Sequence, residues 1–316
     1  MNALVEVEQL TRRYGEHLAV NEVSFSLKRG EILGFLGPNG AGKSSTMQMI
    51  CGNLAPTAGA IRIHGIDLLD APRDAKRCLG YLPDIPPVYR DLTVDEYLRY
   101  CSLLHGIQRS EVRGAVDVSK ERTGLTEVGN RLIGNLSKGF QQRVGIAQAI
   151  VHKPLVVILD EPTVGLDPIQ IQEIRTLVRE LGNDHGVILS THILSEVQAV
   201  CNHVQIINRG QLVLDASIER LEQSMRASSL LMVLETPSEL SAFESIPGIQ
   251  HIEDLGKGRY RVLHDSGLNP APGLARAAVE GNLGVLELTP ERRSMEDIFI
   301  ELTKQPPDLH GRETAT

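Results

Sequence analysis

Residues 37–44 read Gly37-Pro38-Asn39-Gly40-Ala41-Gly42-Lys43-Ser44, a complete G-x-x-x-x-G-K-[ST] loop. This motif has meaning only between a strand and a helix, and the flanks supply both. Glu31 to Leu36 is an apolar run that reads as a strand, and Ser45 to Cys51 reads as a helix. Glycines let the backbone approach a polyphosphate closely and turn several N–H groups toward it. The helix N-terminus adds a dipole that favours an anion. In such a loop Lys43 reaches the β- and γ-phosphates, and the Ser44 hydroxyl ligates Mg²⁺.

A second run, Leu155-Val156-Val157-Ile158-Leu159-Asp160-Glu161, is an apolar strand ending in two carboxylates. A strand apolar on both faces belongs in the middle of a parallel sheet. Carboxylates at its C-terminal end sit where open α/β sheets bind ligands. Asp160 is therefore expected to hold Mg²⁺ through its water shell, and Glu161 to act as general base on an attacking water.

The chain has 316 residues, enough for two domains, with the apolar and charged fractions of an ordinary globular protein. Its formal net charge of -8 argues against a general nucleic-acid-coating surface. No apolar run approaches the roughly 18 residues needed to span a bilayer, and Met1 to Glu6 lacks the pattern of a signal peptide. A cytosolic chain is the expectation, with any membrane part supplied by another polypeptide. Cys51, Cys78, Cys101 and Cys201 show no C-x-x-C spacing, so buried thiols are expected rather than a zinc site or disulfide framework.

Strand patterns at Leu4 to Glu8, Val23 to Leu27 and Ile61 to Ile63 surround the phosphate loop. Residues 91–147 are instead helical in pattern, with helices expected over Asp91 to His105, Ser110 to Thr123 and Lys138 to Ile150. Strand and helix then alternate as far as a hairpin around Asn208-Arg209-Gly210. Beyond about residue 220 the order becomes strand (Leu230 to Leu234), helix (Ser238 to Ser245), strand (Ile249 to Leu255), strand (Arg259 to Leu263), helix (Leu274 to Glu280), strand (Gly284 to Leu288). That β-α-β-β-α-β order suggests a small ferredoxin-like α+β domain. A closing helix is expected over Ser294 to Leu302, and residues 305–316 read as a flexible tail.

Between the two motifs lies Leu136-Ser137-Lys138-Gly139-Phe140-Gln141-Gln142-Arg143. Here the chain resembles the ATP-binding cassette (ABC) ATPases, whose signature is commonly written L-S-G-G-Q. Ser137 and Gly139 match it, whereas Lys138 and Phe140 depart from it. The resemblance covers residues 1 to about 220. It implies an α/β P-loop NTPase fold, a RecA-like ABC core with a helical subdomain inserted at about 87–147; the α+β pattern beyond it makes 221–304 an accessory domain. It also implies the site. ATP would be bound by Gly37, Pro38, Asn39, Gly40, Ala41, Gly42, Lys43, Ser44 and Ser45, with Tyr14 stacking on adenine. Ser137 and Gly139 would cap ATP held by a second subunit, and Asp167, within Gly165-Leu166-Asp167, would signal across the dimer. Glu161 and His192 would be catalytic, His192 contacting the γ-phosphate. Metal contacts would come from Ser44, Asp160 and Asp84. Asp84 stands where the family usually has Gln, which adds a negative charge beside the γ-phosphate.

Carboxylates at that place, the Ser-Lys-Gly-Phe-Gln-Gln-Arg signature, residues Ile85 to Tyr89 and the terminal Ser294 to Leu302 resemble ABC-2-type exporter ATPases of the gliding-motility and multidrug kinds. The implied function is a Mg²⁺-dependent ATPase that drives an exporter. Its partners would be ABC-2-type transmembrane permeases and a second copy of itself, at the cytoplasmic face of the membrane, without nucleic acid. A soluble ABC ATPase acting on ribosomes or DNA fits less well. Relatives of that kind carry two cassettes or a long coiled coil, and residues 91–147 leave no room for a coiled coil. A regulatory module without turnover conflicts with the presence of Asp160, Glu161 and His192.

Overall fold

The computed structural model describes residues 3–224, 229–236, 240, 243, 245–265, 268–291 and 294–304. By packing, the chain divides into two units, one of residues up to Ile218 with the chain from Leu302 onward, the other Glu219–Glu301.

The first unit opens with β1 (Val5–Tyr14) and β2 (His17–Leu27), an antiparallel hairpin turning at Gly15 with φ 57°. β3 (Ile32–Leu36) is wholly buried and leads into α1 (Lys43–Ile50). β4 (Ala58–Ile63) and β5 (Ile66–Asp67) complete an antiparallel sheet of order β2-β1-β4-β5. After α2 (Pro72–Arg77) comes the short strand β6 (Leu79–Leu82). The remaining strands of this unit are β7 (Val156–Asp160), β8 (Gly186–Thr191), β9 (His203–Asn208) and β10 (Gln211–Ser217). They build a second sheet of order β10-β9-β3-β8-β7-β6, parallel throughout except for the β9–β10 hairpin. That hairpin turns through Arg209 at φ 49° and Gly210 at φ 81°, the paired positive φ values of a two-residue turn whose twist matches the strands.

The register of the parallel sheet positions the chemistry. Leu36 at the end of β3 lies opposite Thr191 at the end of β8, and Asp160 at the end of β7 lies opposite Ser190. The phosphate loop, the carboxylate pair and His192 therefore leave the sheet from adjacent strand ends, and β6 delivers Asp84 to the same end. Beneath them, α1 contributes Met47, Met49 and Ile50 to an apolar core shared by the two sheets.

The helical stretch holds α3 (Val94–Leu104), α4 (Val112–Thr123) and α5 (Lys138–Ile150) around a core of its own, including Tyr97, Leu98, Val116, Ile133 and Val144. Thr93 and Glu96 form a reciprocal capping box that fixes where α3 begins. α6 (Pro168–Asp184) and α7 (Leu194–Val200) follow β7 and β8, and α8 (Ile218–Ser224) follows β10.

In the second unit, β11 (Ser229–Leu234), β12 (Ile249–Gly256), β13 (Arg259–His264) and β14 (Val285–Glu291) pair antiparallel in the order β12-β13-β11-β14. This is the strand order of a ferredoxin-like sheet. α9 (Ala271–Glu280) buries Leu274 and Ala278 in the core with Tyr260 and Val262, and α10 (Met295–Lys304) closes the described chain. The helix expected over Ser238 to Ser245 lies largely, and the tail over 305–316 entirely, outside the described residues.

Most expected elements are present with shifted ends. β1 and β2 run several residues further toward their shared turn than the sequence patterns indicate, because pairing in register extends them through polar residues such as Arg12 and Arg13. β6 was not anticipated: four residues containing a glycine carry no alternation, and its partner β7 makes it a strand. Cys51, Cys101 and Cys201 are buried, and Cys78 is half-buried.

Below the parallel sheet, the His105 and His152 rings stack with centroids 3.7 Å apart. Burial first, then the neighbouring His105, push the His152 pKa down to about 4. Among the described residues its Nδ1 has no hydrogen-bond partner. A histidine whose folded pKa lies below its unfolded value stabilises the fold above the unfolded value of 6.5 and loses that contribution as pH falls toward about 4. The full span is worth at most ~3 kcal/mol. His152→Gln should therefore flatten the fall of the thermal midpoint between pH 7 and pH 5; an equally steep fall in that variant would show that other groups govern acid sensitivity.

Candidate functional site

The phosphate loop takes its path because its glycines accept conformations and contacts that a side chain would not. Gly42 sits at φ 108°, and a Cβ there would come within 2.5 Å of the Ala19 carbonyl oxygen. A Cβ on Gly37 would come within 2.4 Å of the Ile207 carbonyl oxygen. The loop thus wraps Lys43, whose side chain is 6% exposed. The ammonium donates to the Gly37 carbonyl at 2.8 Å and the Pro38 carbonyl at 3.3 Å, and lies 3.6 Å from Glu161 Oε1.

Glu161 also faces His192, whose Nδ1 is 2.8 Å from Oε2 and 3.0 Å from Oε1. The Glu161 backbone is left-handed at φ 49°, a costly conformation for a non-glycine residue and one that clusters at functional sites. It is held there by its N–H, which donates to the Ser190 carbonyl at 2.8 Å. One side chain thereby connects the phosphate loop to the residue after β8.

Asp160 lies behind, 2% exposed, accepting from the Ser190 hydroxyl at 2.7 Å. Burial raises its pKa above the usual carboxylate range; the Ser190 and Ser44 hydroxyls oppose this, while the charges of Glu161 and Asp84 add to it.

These groups open on a cavity of about 580 Å³ lined by Tyr14, Asn39, Gly40, Gly42, Lys43, Ser44, Ser45, Asp84, Glu161 and His192, and by His17, Ala19 and Val164, which sequence reasoning did not single out. At one wall the Arg12 guanidinium lies 4.5 Å from the centroid of the Tyr14 ring. Gly37, Pro38 and Ala41 shape the loop without lining the cavity. Ser137, Gly139 and Asp167 do not line it either. Ser137 is the N-cap of α5, accepting from the Phe140 N–H at 3.4 Å, and Asp167 is the N-cap of α6, accepting from the Gln170 N–H at 2.9 Å. Gly139 packs against Gln170, where a Cβ would come within 2.6 Å of the side chain.

The donor set suits Mg²⁺. Ser44, Asp160 and Asp84 offer hard oxygen ligands, and buried Asp160 lies near the negative charges of Glu161 and Asp84. Among the described residues no three His, Cys, Asp or Glu side chains converge to hold a metal alone. Mg²⁺ is usually bound through one or two carboxylates plus substrate phosphates and water, and Asp160 and Asp84 are carboxylates of that kind.

A phosphate loop, an apolar strand ending in Asp-Glu and a histidine from the next strand define a P-loop nucleotide-binding site. Comparison with known proteins narrows the class. Residues 20–164 match the family model described as ABC transporter. The chain is 34% identical over 304 residues to the bacitracin transport ATP-binding protein BcrA of Bacillus licheniformis, covering 96% of this chain and 98% of that one. An ATP-binding subunit of an ABC transporter superposes with a TM-score of 0.64 at 32% identity, covering 70% of this chain and 92% of that one. CbiO1 from Clostridium perfringens, described as part of the transporter complex cbiONQ, gives a TM-score of 0.64 at 28% identity, covering 70% and 91%. The chain belongs to the ABC transporter family as an ATP-binding subunit.

The raised pKa of Asp160 has a measurable consequence. An acid that holds its proton more tightly when folded costs stability once pH exceeds its unfolded value of 3.8, and the cost persists at pH 7. Asp160→Asn removes the charge and keeps an acceptor for Ser190. The nucleotide-free variant should melt at a higher temperature than the parent at pH 7. A lower melting temperature would contradict the electrostatic reading.

Proposed function

We propose that the chain is the ATP-hydrolysing motor subunit of an ABC-2-type exporter. The single observation that carries this reading is the placement of Glu161 in the lining of the phosphate-loop cavity, 3.6 Å from Lys43 and 2.8 Å from His192. Lys43 and the loop N–H groups bind the β- and γ-phosphates, and Tyr14 stacks on the base. Glu161 accepts the proton of the attacking water, and His192 orients Glu161 and meets the γ-phosphate. Mg²⁺, held by Ser44 and Asp160 with Asp84 close by, supplies charge neutralisation when bound. Placement and electrostatics carry most of the rate, because phosphoryl transfer needs little covalent help.

Residues 1–220 form the cassette, with its helical subdomain at about 87–147, and 221–304 an accessory domain. The chain acts as a homodimer. Each ATP lies between Lys43 of one copy and Ser137 and Gly139 of the other, and Asp167 couples the two sites. Support comes from the position of both signature residues away from the cavity of their own chain, and from the presence of every catalytic residue. ATP binding closes the dimer and hydrolysis opens it. The region around Asp84 and the helical subdomain pass that motion to transmembrane permeases. Ile85, 80% exposed beside Asp84, supports a docking role there. Among the described residues no helix is long and apolar enough to cross a membrane. The proposed place of the chain is the cytoplasmic face, beside the permeases. Export rather than import rests on the resemblance to ABC-2-type exporter ATPases alone.

The test is affinity purification of the Glu161→Gln chain from gently solubilised cells. A stoichiometric polytopic membrane protein is expected. Recovery of ribosomal or nucleic-acid-binding proteins, with no membrane subunit, would overturn the exporter reading.

A further inference from the structure

We infer that Glu196 is a positioning residue that holds Glu161 and His192 in register; the inference rests on the roles proposed above for those two. Glu196 lies on α7, outside every motif in the sequence, and is 1% exposed. It accepts a hydrogen bond at Oε1 from the Thr163 hydroxyl, and at Oε2 from the Thr191 hydroxyl at 2.7 Å. Among the described residues no cation pairs with it. A buried carboxylate without a counter-ion is costly to keep, and mutation of such a group is rarely neutral.

The two donors identify what the carboxylate does. Thr163 stands two residues after Glu161, and Thr191 immediately before His192. Both hydroxyls are buried, and each has one proton, which it gives to Glu196. The Thr191 oxygen in turn accepts from the Ile193 N–H at 3.1 Å, so the direction of every bond in the network is set. Without Glu196, the link between the backbones of the two loops at this point is the Glu161 N–H to Ser190 carbonyl bond. Glu196 adds a second tie, between Thr163 two residues after Glu161 and Thr191 next to His192. The spacing of Glu161 and His192 then ceases to be free, and Glu161 is kept in its left-handed conformation. Displacements of an ångström at such groups cost rate far more than they cost binding. The nucleotide-holding groups Lys43 and Ser44 lie outside this network, so their hold on phosphate does not depend on it.

The full chain carrying Glu196→Gln separates positioning from plain stability. The amide presents a donor where a carboxylate oxygen stood, so one threonine hydroxyl meets another donor although the volume is conserved. Per nucleotide-binding site, kcat should fall about tenfold or more while KM for ATP stays within about threefold. Thr163→Val added to Glu196→Gln should cost little beyond Glu196→Gln alone, because both break the same tie. Glu196→Asp, which keeps the charge, should recover part of the rate lost in Glu196→Ala. A readout independent of turnover is the ¹⁵N spectrum of the His192 imidazole, assigned with His192→Gln, whose Nδ1 signal should move in Glu196→Gln. Unchanged kcat together with an unchanged His192 signal would overturn the inference. So would a loss of rate matched by an equal loss of ATP-binding sites with the His192 signal unmoved. If the parent itself hydrolyses no ATP, the ATPase reading fails, and the His192 signal alone still decides for or against the tie.

Discussion

An ammonium almost wholly withdrawn from water anchors the phosphate loop. Taking Lys43 out of solvent costs several kcal/mol unless its charge and protons are met. The Gly37 and Pro38 carbonyls and the Glu161 carboxylate meet them. The carbonyls are available only because the loop folds back on itself, which requires glycine at Gly37 and Gly42. The carboxylate is available only because β7 ends beside β8, one strand away from β3, and because Glu161 adopts a left-handed backbone. A phosphate arriving at Lys43 competes for the same ammonium as Glu161.

The surrounding architecture distributes the other tasks among separate pieces. The parallel sheet brings three loops and Asp84 to one end, the β1–β2 hairpin carries Tyr14 to the cavity wall, and the helical region keeps its own core. That independence is what a segment needs if it is to shift as a body against the rest. Ser137 and Asp167 cap neighbouring helices, so both perform a local structural duty whatever else they face. Both hydrogen bonds use a single lone pair, which leaves each oxygen able to accept a further donor.

Much of the site was legible in the sequence because its chemistry is local. Gly-x-x-x-x-Gly-Lys-Ser constrains its own backbone, and an apolar strand ending in Asp160-Glu161 announces both its burial and its exit. Tyr14 and His192 needed the resemblance to a family as well, since a single aromatic or histidine carries no spacing. Asp84 was placed by its order in the chain, although β6, the strand that delivers it, was too short and too glycine-bearing to be seen. Glu196, Thr163 and Ser190 left no trace, because buried hydrogen bonds between side chains up to 33 positions apart have no periodicity. The raised pKa of Asp160 and the stacked His105 and His152 arise in the same way, from burial that only the folded chain creates.

The most direct measurement is single-turnover hydrolysis of ATP with Mg²⁺ by Glu161→Gln, alongside its affinity for ATP. Glutamine keeps the shape but cannot take a proton from water. Retained binding with cleavage slowed by about 10²-fold or more is expected if Glu161 is the base. Cleavage at the parent's rate would contradict that assignment and, with it, the catalytic reading of the Lys43–Glu161–His192 arrangement.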